Sequence, residues 1–142
     1  MKFSTKTRYG IRAILEIALN KSENGIYQKD ISVNQKISYK YLDHIISALK
    51  TADLVANANG RKSGYKLTRK PSEITVFQIH SAFEPGICII DCLSKNHECE
   101  RESYCASKGF WGELNKQIIN YFKATTLQDL MNDKMKLMEI TR

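Results

Sequence analysis

The spacing of apolar positions changes along the chain, and each change predicts a new element. In "TRYGIRAILEIALN", the small or apolar residues Gly10, Ala13, Ile14, Ile17 and Ala18 share one helical stripe. Gly25 breaks that pattern. The following "QKDISVNQKIS" is mostly polar, with Ile31 and Ile37 as its anchors, and predicts a second, short helix and a turn. Ser38 is placed to N-cap the next helix. There Leu42, Ile45, Ile46 and Leu49 recur at i, i+3, i+4 and i+7 and must face a core. Lys40, Asp43, His44 and Ser47 repeat the same spacing on the opposite face, with Tyr39 at the entrance.

The period then drops to two. "LVANANGRKSGYKL" predicts two short strands, opened by Leu54 and Val55 and continued by Tyr65 and Leu67, around a loop holding Asn59, Gly60, Arg61, Lys62, Ser63 and Gly64. Beyond Pro71, Ser72 is expected to cap a helix over "SEITVFQIHSAF". Its stripe is Val76, Ile79, His80 and Phe83, and His80 reads as a hydrogen-bonded core histidine. Pro85 and Gly86 end it. "KGFWGELNKQIINYF" predicts a helix with a broad apolar face of Trp111, Leu114, Ile118, Tyr121 and Phe122. The remaining tail is expected to form a short capped turn at Thr126 and Leu127 and then a mobile end. No internal repeat or low-complexity segment is visible.

The fold class is therefore mainly α with a small β-hairpin. Helix, short helix, amphipathic helix and basic hairpin, in that order, make a winged helix-turn-helix, followed by a further helix suited to dimerisation. We expect residues 1–84 to form the winged unit, 85–108 a cysteine-rich loop, and 109–142 the dimerisation helix and tail. At 142 residues and 42% hydrophobic content the chain can bury one core. No apolar run reaches the length of a membrane span, and "MKFSTKTRYG" lacks the apolar stretch of a secretory signal. A cytoplasmic location is expected, with no membrane partner.

Charge sharpens the functional reading. The net charge of +7 is unevenly spread: residues 1–82 hold 14 Lys and Arg against 6 Asp and Glu, whereas the remainder holds 8 against 9. A basic excess confined to the winged unit implies a polyanionic partner such as double-stranded DNA. On this reading Ser38, Tyr39, Lys40 and His44 face the major groove, because the N-terminal residues of a recognition helix must reach base edges. Arg61 and Lys62, in a loop that two glycines let approach closely, meet phosphate or the narrow minor groove. With three histidines, no Gly-rich phosphate loop and no Ser/His/Asp pattern, the chain does not read as an enzyme.

All four cysteines lie within "CIIDCLSKNHECERESYC", from Cys88 to Cys105. In a reducing cytoplasm a disulfide framework is not expected, so this crowding points to a metal or redox role. The tight Cys-x-x-Cys pairs of zinc ribbons are absent. Lys95 and Arg101 are the cations expected to offset negative charge within the loop, and Asp91, Glu98, Glu100 and Glu102 keep it away from DNA.

Together, the opening "TRYGIRAILEIA", the "SYKYLDHIISALKTADLV" helix, the "GRKSGYKL" wing and the spaced cysteines ahead of a Trp-containing helix resemble the Rrf-two family of bacterial transcription regulators. The resemblance covers nearly the whole chain. It implies a homodimer on a palindromic operator, with Tyr41, Leu42 and Asp43 standing where the family carries Tyr-Leu-Glu, so that Tyr41 and Asp43 join the DNA-binding residues. It also implies an iron–sulfur cluster, of two-iron or four-iron type, held by Cys92, Cys99 and Cys105. Operator binding would then respond to iron–sulfur status, redox or nitric oxide. The thiolate donors suit such a cluster, and intervals of six and five residues suit a loop wrapped around one. A metal-free thiol regulator, or one like the cluster-free CymR branch, is the alternative.

Two departures stand out. The IscR branch places a histidine three residues after the last cysteine; here Lys108 is there. The NsrR branch uses an aspartate of the partner's first helix; here that place holds Arg8. The fourth ligand is open among His97, Cys88, a partner-chain residue and an exogenous group. In the wing, Asn59 stands where family members often carry arginine, and Arg61 follows the glycine instead.

Overall fold

The computed structural model describes residues 3–141. Helix α1 (Thr5–Leu19) starts at Ser4, whose hydroxyl accepts from the Thr7 amide at 3.2 Å. It buries Thr7, Gly10, Ala13, Ile14 and Ile17, the expected stripe moved by one turn: Ala18 is half-buried and Thr7 takes a place in the core. Helix α2 (Gln28–Gln35) ends where Lys36 turns left-handed at φ 53°. Helix α3 (Tyr39–Thr51) is N-capped by Ser38, as expected, and buries Leu42, Ile45, Ile46 and Leu49. These residues meet Ile31, Ile37, Leu54, Val55, Ile74 and Ile79 in one continuous core.

Strands β1 (Val55–Asn57) and β2 (Tyr65–Leu67) pair antiparallel, with Val55 opposite Leu67 and Asn57 opposite Tyr65. Ile26 adds a bridge to Tyr65, exchanging amide and carbonyl bonds of 2.8 and 3.1 Å. The hairpin is therefore tied to the segment between α1 and α2 as well as to α3.

The helix expected from Ser72 begins later. Pro71–Glu73 forms a single 3-10 turn, and Thr75 caps the helix α4 (Val76–Ser81). The reason is local. Thr75 has Gln78 three residues on, and the two form a capping box in which each side chain accepts from the other's amide at 3.1 and 2.9 Å. Ser72 has threonine at that offset and can form no such box. Val76, Ile79 and His80 are buried, while Phe83 lies past the helix end and is half-buried. His80 is the bonded core histidine expected. Its Nε2 faces the Gly86 carbonyl at 3.0 Å, so Nε2 carries the proton and Nδ1 accepts from the Thr7 hydroxyl at 3.3 Å.

Helix α5 (Ala106–Ala124) buries no residue fully over its 19 positions. Trp111, Leu114, Ile118 and Phe122 are half-buried and Tyr121 is 71% exposed. Phe122 reaches back to stack on Phe3, and Asn115 donates to the Ile87 carbonyl and accepts from the Ile89 amide, both at 3.0 Å. The tail is not a mobile end. Thr126 and Asp129 form a second capping box, and helix α6 (Leu127–Ile140) follows. Nothing between Leu127 and Ile140 breaks a helix, and Leu127 is fully buried in the core of the winged unit. No helix among the described residues is long and apolar enough to cross a membrane.

Candidate nucleic-acid interface and cysteine cavity

The N-terminal turn of α3, the start of α2 and the wing surround one groove of about 430 Å³, lined by Tyr27, Gln28, Lys29, Tyr39, Arg61 and Lys62 among others. Ser38, Tyr39, Lys40 and His44 are exposed along the outer face of α3, and Arg61 and Lys62 are exposed at the wing tip. The fold thus brings Tyr39 of the helical candidates together with Arg61 and Lys62 of the wing on this groove, whereas His44 lines a separate one with Lys6, Ala82 and Phe83. The wing loop is held from within: the buried Ser63 hydroxyl accepts from the Asn59 amide and donates to the Gly60 carbonyl, both at 2.7 Å. Arg61 and Lys62 project from a preformed turn, which lowers the entropy lost on contact.

Two candidates face the protein more than the others. Tyr41 is half-buried, edge-on to Tyr9 at 5.7 Å, and the Arg12 guanidinium covers the Tyr9 ring at 4.9 Å. Asp43 is exposed but accepts from Gln28 Nε2 at 2.5 Å, and the same nitrogen reaches the Tyr39 carbonyl at 3.2 Å. Gln28 therefore orients the first turn of α3. Sequence reasoning missed it, because a glutamine in a polar segment carries no mark of burial.

The cysteine loop has one 3-10 turn, Asp91–Leu93, and otherwise irregular backbone. Even so, it gathers Cys92, Cys99 and Cys105 around a single cavity of about 30 Å³, together with Glu102 and Lys108. Cys105 stands at the N-terminus of α5. A hydrogen bond with the Ser107 hydroxyl at 3.2 Å, the Lys108 amide and the Arg101 charge hold its thiol below the ordinary range. Lys108 pairs with Glu102; this pairing pushes the ammonium up and holds the carboxyl down. The cation at the cavity is thus Lys108, whereas Lys95 does not line it. Cys88 is exposed and lines a separate groove with Phe3, Arg8 and His80. His97 is exposed and does not line the cavity.

Among the described residues, no three His, Cys, Asp or Glu side chains stand in a geometry that would hold a single metal ion. That is compatible with a multi-iron cluster, whose ligands attach to different iron atoms and need not converge on one point. The donor chemistry, three soft thiols on one cavity, fits such a group.

The comparisons agree with the fold. The family described as Rrf2, iron-dependent transcriptional regulator, matches residues 3–133. The protein rrf2 of Nitratidesulfovibrio vulgaris is 36% identical over 133 residues, covering 94% of this chain and 89% of its own length. The regulator IscR of Aliivibrio salmonicida is 35% identical, covering 94% and 79%. Among solved structures, CymR of B. subtilis, the global cysteine regulator of that organism, superposes with a TM-score of 0.76 at 29% identity, covering 93% of this chain and 97% of its own. A winged DNA-binding face and a gathered cysteine loop on a chain with these relatives mark a transcriptional regulator and not an enzyme, and the chain belongs to the Rrf2 family.

Proposed function

We propose that the chain works in the bacterial cytoplasm as a homodimer that binds a palindromic operator and that carries an iron–sulfur cluster on Cys92, Cys99 and Cys105. The observation that carries this reading is the single cavity those three cysteines line, despite lying 13 residues apart from first to last. Residues 1–84 form the reading head, 85–108 the sensing loop and 109–142 the dimer arm. Ser38, Tyr39, Lys40, Tyr41, Asp43 and His44 read or approach bases, and Arg61 and Lys62 hold the backbone or minor groove. Two-fold pairing of such heads matches two half-sites about one helical turn apart.

When bound, a cluster of two-iron or four-iron type supplies a centre that redox agents and nitric oxide attack. The rest is done by this chain. Ser107, the Lys108 amide and Arg101 favour the Cys105 thiolate, the form that ligates metal. Cys92, Cys99 and Cys105 tie together a loop with little regular structure of its own. Ordering that loop biases how α5 meets the reading head, by no more than the difference in stabilisation between the two arrangements. A coupling of about 1–3 kcal/mol changes operator affinity roughly 5–150-fold.

The test compares operator affinity of cluster-loaded protein, cluster-free protein and Cys92→Ala at one salt concentration. We expect the loaded protein to differ from the other two, which agree. Equal affinities for all three remove the regulatory role.

A metal-free thiol regulator of the CymR kind is the second reading. It is favoured by the likeness of the fold to CymR. Anaerobically purified protein that is colourless, contains neither iron nor sulfide, and binds its operator with normal affinity decides for it.

A further inference from the structure

Building on the cluster reading, we propose that Glu102 is the fourth ligand and that Lys108 steers its carboxylate. The cavity that Cys92, Cys99 and Cys105 line has two other walls, Glu102 and Lys108. Of these, only Glu102 offers lone pairs, because an ammonium has none to give. The donors expected from the sequence lie elsewhere: Cys88 lines a different groove and His97 is outside the cavity.

The backbone explains why Glu102 arrives there. Its amide donates to the Cys99 carbonyl at 3.1 Å, so a tight turn folds Glu102 back beside one thiol. Lys108 lies one helical turn beyond Cys105, its amide bonded to the Cys105 carbonyl at 3.3 Å, and it lines the same cavity as the three thiols. Among the described residues the Lys108–Glu102 contact is the sole ion pair, in a chain with 37 lysine, arginine, aspartate and glutamate residues. A carboxylate has two oxygens. One can ligate iron while the other keeps Lys108, in the way that hydrogen-bonded partners orient ligating carboxylates. Lys108, useless as a ligand, then offsets part of the charge of three thiolates and a carboxylate. An oxygen ligand is harder than thiolate and suits iron less well than the three cysteines do. The iron it holds is thus the exchangeable one, where a small molecule enters.

The experiment uses full-length protein reconstituted anaerobically with iron and sulfide: wild type, Glu102→Gln, Glu102→Cys and Lys108→Met. It reads iron and sulfide per chain, the visible spectrum, and the rate of iron loss to a chelator. Far-UV circular dichroism confirms that each variant is folded. We expect Glu102→Gln to lose iron at least about tenfold faster than wild type, Glu102→Cys to restore retention with an altered visible spectrum, and Lys108→Met to lose iron faster than wild type but more slowly than Glu102→Gln. A Glu102→Gln protein that retains iron as wild type does overturns the ligand assignment and leaves the cluster reading standing. Equal losses in Glu102→Gln and Lys108→Met without rescue by cysteine overturn it too, showing an ion pair that only shapes the loop. A wild type that takes up no iron and sulfide overturns the cluster reading itself, and this assignment with it.

Discussion

Gly25 and Gly64 pack backbone against backbone: a Cβ on Gly64 would lie 2.6 Å from the Gly25 carbonyl carbon, and one on Gly25 would lie 2.7 Å from that of Gly64. Gly25 also needs φ +76°, a region that side chains disfavour. The Gly64 amide donates to the Asn24 carbonyl at 2.8 Å across this contact. The base of the wing is in this way pressed onto the turn after α1. Gly64→Ala should push the two segments apart at a cost of about 1–3 kcal/mol. Denaturant melts should show that loss, together with weaker operator binding. An alanine variant as stable as wild type would mean that the contact can relax freely.

Arg61 stands exposed on a wing loop that Ser63 braces. If it meets a phosphate, Arg61→Ala lowers operator affinity and reduces the salt slope by about one unit. A salt titration of the operator complex measures both. Unchanged affinity and slope would remove the wing from the interface.

Ile118 lies in the C-terminal half of a 19-residue helix with no fully buried residue. Among the described residues, its half-exposed apolar neighbours have no partner sufficient to cover them. If this face is the seam of the proposed dimer, Ile118→Glu should place an unpaired charge there and yield monomers. Sedimentation equilibrium decides, and a dimer of undiminished stability would put the seam elsewhere.

The Cys105 thiol is held low first by the Ser107 hydroxyl, then by the Lys108 amide. A lowered thiol pKa means more thiolate at any given pH, so alkylation of cluster-free protein should reach half its limiting rate at Cys105 below the ordinary thiol value of about 8.5. Ser107→Ala removes the leading cause and should move that midpoint up. Mass spectrometry of iodoacetamide-treated protein across pH tests it; a midpoint at or above the ordinary value in the wild type contradicts the assignment.

Periodicity made much of the reading head legible. Leu42, Ile45, Ile46 and Leu49 could face only a core, and Ser38 could only cap what followed it. Legibility fell where the decisive partner is distant or small. Helix α6 was missed because its one deep anchor, Leu127, is buried against residues some 50 positions earlier, beginning with the bond from its amide to Ile74. Thr75 was passed over for Ser72 because the choice rests on a single offset, Gln78 against Thr75. Glu102 looked like one acid among four. Only the turn at Cys99 and the reach of Lys108 separate it from Glu98 and Glu100.

Asn115 grips the Ile87 and Ile89 backbone near the middle of α5, with nine residues on either side, or about 14 Å of helix each way. The arrangement is a balanced lever. Its near end carries Cys105 and Lys108. Its far end is stitched to the reading head, where Val76 donates to the Thr125 carbonyl at 2.9 Å and Leu127 to that of Ile74 at 2.8 Å. The cysteine loop and the reading head are in this way joined through one helix, gripped at its middle by Asn115 and fixed at its far end by the bonds of Thr125 and Leu127.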